Sequence, residues 1–233
     1  MRTKLGLAAV VLLGLQTSLF GQQPGDDSDW WSSLRRDDYA TGLPIKKRTT
    51  SEDNFTVAGV MLGEKQFEEA AKAFGPADEL SRGDAASGRQ QLCYVSTSGE
   101  PIYLIFEVGE VEAGFYLFDK GPSWNGVEHC AKSPLINPTV STKSGLHLGI
   151  TRTQLETILG IPNATHTEED LYWNEETIHL SPAELTRLRA ANPNLSQKDF
   201  LENYESMDRS VYIKAKFENE RLVFLNVLRN DVF

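Results

Sequence analysis

Only two of the 233 residues are cysteine, Cys93 and Cys130, and they do not form a Cys-x-x-Cys pair. The close spacing of a redox dithiol or a zinc knuckle is therefore missing. Also missing are a Gly-x-Ser-x-Gly elbow, a His-Glu-x-x-His helix, a Gly-x-x-x-x-Gly-Lys phosphate loop and a dinucleotide fingerprint. Lys143-Ser144-Gly145 matches one element of penicillin-recognising serine enzymes, but those enzymes also need Ser-x-x-Lys, which the chain does not contain. No reaction is named by these residues, and no cofactor or metal is expected. Basic residues are in short supply, with 23 Lys and Arg against 33 Asp and Glu. Such a surface repels phosphate backbones, so nucleic acid is not expected as a partner. No apolar run approaches the roughly 20 residues that a spanning helix needs.

An apolar run without a charge, Leu5 to Leu15, follows Arg2 and Lys4 and precedes the small residues Ser18 and Gly21. This is the pattern of a cleaved export signal over residues 1–21, which predicts a secreted or periplasmic protein with no membrane span after cleavage. Cleavage would remove Arg2 and Lys4 and no acid, taking the net charge from −10 to −12. In an oxidising compartment Cys93 and Cys130 are expected to form a structural disulfide. Residues 22–54 mix Asp, Ser, Thr, Gly and Lys with little periodicity and read as a flexible leader, interrupted by Trp30-Trp31.

One order of elements occurs twice. The first copy has Leu62-Gly63, a helical run from Glu64 to Phe74, Gly75-Pro76 and a hairpin around Phe106 to Val111. The second has Leu148-Gly149, a helical run from Thr151 to Leu159, Gly160-Ile161-Pro162 and Phe217 to Leu222. Phe67, Ala70, Ala71 and Phe74 recur at helical spacing, as do Leu155, Ile158 and Leu159. A repeated unit predicts an α+β chain of two tandem modules, each with short helices on a small antiparallel sheet. The expected bounds are 55–119 for the first module, 120–143 for a linker loop and 144–229 for the second.

From Leu62 to Leu148 is 86 residues, whereas from Phe106 to Phe217 is 111, so the second copy carries 25 additional residues. They fall at 181–206, where Ser181-Pro182-Ala183-Glu184 is a helix start and Ser196 a second cap.

Strand alternation places Ile102, Leu104, Phe106, Val211, Ile213 and Phe217 toward the helices. It turns Tyr103, Tyr116, Tyr212, Lys214 and Lys216 to the other sheet face as candidate partner-binding residues. Half-burial of strand tyrosines explains the same pattern equally well. His166-Thr167-Glu168-Glu169-Asp170 gathers an imidazole and three acids. An extended segment aims neighbours in different directions, so a solvated charge run is the favoured reading.

The residues Leu148-Gly149-Ile150-Thr151, Leu159-Gly160-Ile161-Pro162, Tyr172-Trp173 and Lys216 to Leu222, with the weaker first copy, resemble the SmpA/OmlA (BamE) family. They also resemble the tandem modules of β-lactamase-inhibitor proteins. The resemblance implies helix-on-sheet modules that bind other proteins through a sheet face. The chain departs from it in having no cysteine at the expected mature start and in the 181–206 insertion. The expected function is an exported, non-catalytic module of the bacterial envelope whose partner is another protein. The alternatives are an inhibitor of a secreted enzyme such as a hydrolase, and an enzyme with an inter-module cleft site near His166. The oligomeric state is left open.

Overall fold

A computed structural model describes residues 46–47, 50–82, 88–110, 112–119 and 129–233. The expected export signal, Trp30-Trp31 and the 120–128 part of the linker loop lie outside these residues.

Among the described residues, twelve strands and four helices follow in chain order. They are β1 (Lys46–Lys47), β2 (Thr56–Val57), β3 (Val60–Met61), α1 (Gln66–Phe74), β4 (Glu79–Arg82), β5 (Arg89–Ser96), β6 (Tyr103–Val108), β7 (Glu112–Phe118) and β8 (Ala131–Ser133). Then come α2 (Arg152–Leu159), β9 (Ala164–Thr165), β10 (Glu169–His179), α3 (Pro182–Ala191), α4 (Gln197–Tyr204), β11 (Ser206–Glu218) and β12 (Arg221–Val232). A 3-10 turn at Glu52–Phe55 precedes the small β2–β3 hairpin.

The expectation of two tandem modules is overturned. Ten of the strands form one sheet in the order β1-β10-β11-β12-β7-β6-β5-β4, with β8 on β5 and β9 on β10. The join is the antiparallel pairing of β7 with β12, from Phe118 opposite Phe224 to Glu112 opposite Asn230. Separate modules would each leave the last strand of a hairpin as an open edge, with a row of unpaired N–H and C=O groups. Pairing those two edges satisfies both rows at once. The core is likewise shared: Leu104, Phe106 and Phe115 from one half and Ile213, Leu225 and Val227 from the other belong to one buried cluster.

Both short helices lie on the same face of this sheet. α1 buries Ala70 and Phe74, and the Phe74 ring centroid lies 5.1 Å from that of Tyr94 and 6.2 Å from that of Phe106. Burial pushes the Tyr94 phenol up to about 12, and its hydroxyl donates to the Gly75 carbonyl at 3.1 Å. α2 buries Leu155 and Leu159 and starts at Thr151 with a capping box to Gln154. The segment before it is stitched to the β11–β12 turn by Gly149 N–H to the Leu222 carbonyl and Leu222 N–H to the Ile150 carbonyl. That turn has only two residues between paired strands. Asn219 and Glu220 both take positive φ, the backbone hand that continues the twist of the flanking strands.

Arg152, in the first turn of α2, lies 3.3 Å from the fully buried Asp170 carboxylate of β10. Burial raises the pKa of Asp170, while the charge of Arg152 acts against that rise.

On the opposite face Cys93 and Cys130 are disulfide-bonded, 37 residues apart in sequence. The bond holds the chain where β8 begins its parallel pairing with β5.

Candidate functional site

The five residues expected to bind a partner all lie on the sheet face opposite the helices. Lys214 is opposite Asn226, which is opposite Tyr116; Lys216 is opposite Phe224, which is opposite Phe118, and Phe118 is opposite Tyr103. Tyr212 follows on the same phase and meets Trp173 edge to face at 6.5 Å. Tyr116, Tyr212 and Lys214 are buried, and Tyr103 and Lys216 are half-buried. Lys214 Nζ pairs with Glu169 Oε2 at 3.2 Å, and Lys216 Nζ lies over the Phe224 ring at 5.7 Å. Tyr103 and Phe118 stack at 5.1 Å. Lys214, Lys216, Tyr103 and Tyr212 thus each contact a neighbour within the sheet, namely Glu169, Phe224, Phe118 and Trp173.

Farther along the same face, Glu107 is 2% exposed. It accepts from Gln91 Nε2 at 2.6 Å and Arg89 Nη1 at 2.8 Å. A buried carboxylate held by a charged donor and an amide is a satisfied structural group.

The His166 to Asp170 run does not converge. The chain turns tightly there, with His166 N–H donating to the Glu169 carbonyl, and Arg152 donates to the His166 and Thr167 carbonyls. Glu169 and Asp170 then point to opposite faces, Glu169 toward Lys214 and Asp170 toward Arg152. Among the described residues no group of three or more His, Cys, Asp or Glu could hold a metal ion.

The open space lies elsewhere. A cleft of about 600 Å³ runs along one end of the helix-bearing face. Its walls are the Met61–Lys65 segment before α1, the β6–β7 turn at Val108–Glu110, and α3 with Leu180, Arg187 and Leu188. Its floor is the far end of β11 and β12: Met207, Arg209, Arg229 and Asp231. The volume is within the usual range for small-ligand and side-chain pockets.

α3 is fixed there by its ends. Ser181 caps it, with its hydroxyl accepting from Glu184 N–H, and Glu184 accepts from Ser181 N–H and Oγ–H. Those bonds hold the Glu184 carboxyl below the usual carboxylate range. Leu180 N–H donates to the Glu205 carbonyl and closes the base of the α3–α4 excursion. Arg189 of α3 sits over Phe200 of α4 at 5.2 Å.

Two guanidinium groups lie near one ring on the floor: the Phe55 centroid is 5.8 Å from Arg209 Cζ and 5.7 Å from Arg229 Cζ. Their situations differ. Arg209 donates twice to Asp231, from Nε at 2.7 Å and Nη2 at 3.1 Å, and once to Glu52 from Nη1 at 2.8 Å. Burial opposes its charge, but those bonds and the two carboxylates leave its pKa raised. Arg229 has one ion pair, from Nε to Asp231 Oδ2 at 3.2 Å, and its Nη groups make no hydrogen bond to the described residues. Burial lowers its pKa against the pull of Asp231; a guanidinium nonetheless stays charged. Gly63 leaves room for it: a Cβ at that position, where φ is +149°, would stand 3.3 Å from Arg229 Nη2.

Neither arginine was singled out in the sequence reading. A signal was present: on β11 Arg209 continues the phase of Val211 and Ile213, and on β12 Arg229 continues that of Leu225 and Val227. Charge on the core phase of a strand marks a buried pair or a site.

No family model matches the chain, and no curated protein matches it. Among solved structures, one assigned to the GntR family of transcriptional regulators aligns over 81% of this chain and 66% of its own length, at 12% identity. Its TM-score of 0.21 is too low to carry an argument about fold or function. No helix among the described residues is long and apolar enough to cross a membrane.

Proposed function

We propose that this is an exported, non-catalytic binding protein that engages another protein at the mouth of the cleft, between α3 and the Met61–Lys65 segment. The observation that carries the reading is the site's composition. A partly buried arginine with unused donors lies beneath an opening edged by apolar side chains, including Met61, 36% exposed, and Phe233, 57% exposed. Buried charge beside open apolar surface is the anatomy of a recognition site. Catalysis is not proposed, because the cleft's best-placed ionisable groups are committed to fixed partners: Asp231 and Glu52 to Arg209, and Glu184 to the α3 cap.

Export is supported by the amino-terminal pattern and by the Cys93–Cys130 bond, which suits an oxidising compartment. The likeness to SmpA/OmlA proteins points the same way through the residues Leu159-Gly160-Ile161-Pro162 and Lys216 to Leu222.

A photo-crosslinking amino acid placed at Leu188, and separately at Tyr103, tests the surface in the protein's own compartment. The expected result is one discrete protein adduct from position 188 and none from 103. Adducts from 103 alone, or from neither, would contradict the assignment.

A further inference from the structure

Resting on the cleft as the binding surface, we infer that its occupant is the carboxyl terminus of a polypeptide, with the terminal carboxylate on Arg229, an apolar last side chain against the cleft wall and basic residues just upstream. Three observations lead there. First, the Arg229 fork is the open donor on the floor, and a planar fork of N–H groups matches a carboxylate with two parallel bonds. Second, the cleft that holds the fork is also lined by Met61, Leu62, Val108 and Leu188 on its walls and Met207 on its floor, which suits an apolar body attached to that carboxylate.

Third, the rim is acidic. Glu64 and Glu110 are exposed at the cleft and pair with no cation among the described residues. Asp231 and Glu52 already neutralise Arg209 beneath them. Lys65 and Arg187 also line the walls, but Glu64, Glu69, Glu110, Glu112 and Glu184 outnumber them, so a phosphate dianion or a bare fatty acid would meet a rim of net negative charge. A chain end carrying Lys or Arg before its last residue meets that rim with opposite charge. The terminal carboxylate and the upstream cations are thus matched to two separate parts of one cleft.

The test uses the purified, oxidised protein and fluorescence anisotropy at about 50 mM salt, where charge pairs are only moderately screened. The probe is an amino-terminally labelled hexapeptide, Ser-Gly-Gly-Lys-Lys-Leu, with a free terminal carboxylate, compared with the same peptide as its terminal amide. The acid is expected to bind at least about tenfold more tightly than the amide, the size of one lost charge-assisted bond. Arg229→Gln should bring the two peptides to equal affinity, and Arg229→Lys should restore part of the difference. Glu64→Gln combined with Glu110→Gln should weaken the Lys-Lys peptide and leave an Ala-Ala version unchanged.

Equal binding of acid and amide to the unaltered protein would overturn the proposal without recourse to any variant. So would absence of binding by the acid up to about 1 mM, or decanoate binding more tightly than the peptide. If the peptide fails while crosslinks from position 188 persist, the ligand class is wrong and the docking surface stands. If both fail, the surface itself is wrong.

Discussion

The two halves of the sheet are built in the same strand order but to different lengths. β5, β6 and β7 have 8, 6 and 7 residues, whereas β10, β11 and β12 have 11, 13 and 12. Pairing between the halves ends at Glu112 opposite Asn230. Beyond that point β11 and β12 run on together, carrying Arg209 and Asp231 past the short half, and β10 follows β11 as far as His179 opposite Ser206. The α3–α4 excursion begins and ends at this overhang. The short half is a closed packing unit, while the long half has spare strand on which to build a charged floor and spare chain with which to wall it. The added length supplies one wall and part of the floor of the cleft, while the short half supplies the other walls and Arg229 lies within the seam, opposite Ala113.

The largest expected effect bears on whether the halves are separable. Phe106 is fully buried in the short half, against Phe74 and Tyr94. Phe106→Ala should cost about 3–5 kcal/mol, and because the core is shared the loss should appear in one unfolding transition. Two transitions, with the long half unaffected, would separate what the seam joins. Replacing both cysteines by serine should cost about 2–4 kcal/mol, read from denaturant midpoints with and without reductant. An equal midpoint for the wild type in both conditions would contradict a structural role for the bond.

Gly114 lies in the seam itself. A Cβ there would overlap the Leu228 side chain and stand 2.8 Å from the Val227 carbonyl oxygen. Gly114→Val should cost about 1–3 kcal/mol through overpacking, and circular dichroism melts that show no loss would mean that β7 and β12 are not held as closely as described. The smallest effect is one of pH. Asp170 keeps its proton to a higher pH than an unfolded aspartate, whose value is 3.8. As pH rises from 3.8 toward the raised native value, the native chain holds more protons than the unfolded chain, so stability falls across that window. Asp170→Asn should remove that part of the slope, and an identical pH profile in the variant would contradict the assignment.

Much of this was legible in the sequence because it is local. Phe67 to Phe74 and Leu155 to Leu159 carry their period within two turns, Ser181-Pro182-Ala183-Glu184 announces α3, and the mismatch of 86 against 111 residues locates the excursion. Cys93 and Cys130 are the only two cysteines in the sequence, and they are bonded. The seam was not legible, since which strand edges meet depends on long-range fit and two amphipathic hairpins look alike whether they stand apart or pair. The end of the segment read as leader was also hidden. Thr50 and Asn54 are buried and Glu52 binds Arg209, yet polar residues in an aperiodic stretch give no sign of a distant partner. The arginine floor was missed because attention to alternation favoured the aromatic phase opposite the helices, where Tyr116 and Tyr212 turned out to be buried.

Native-state hydrogen exchange across the seam tests the single-sheet account most directly. The amides of residues 112–118 and 224–230 should share one protection free energy, equal to that of global unfolding, and respond together to denaturant. Exchange of the β5–β7 strands through a separate, lower-energy opening, with β10–β12 still protected, would contradict it.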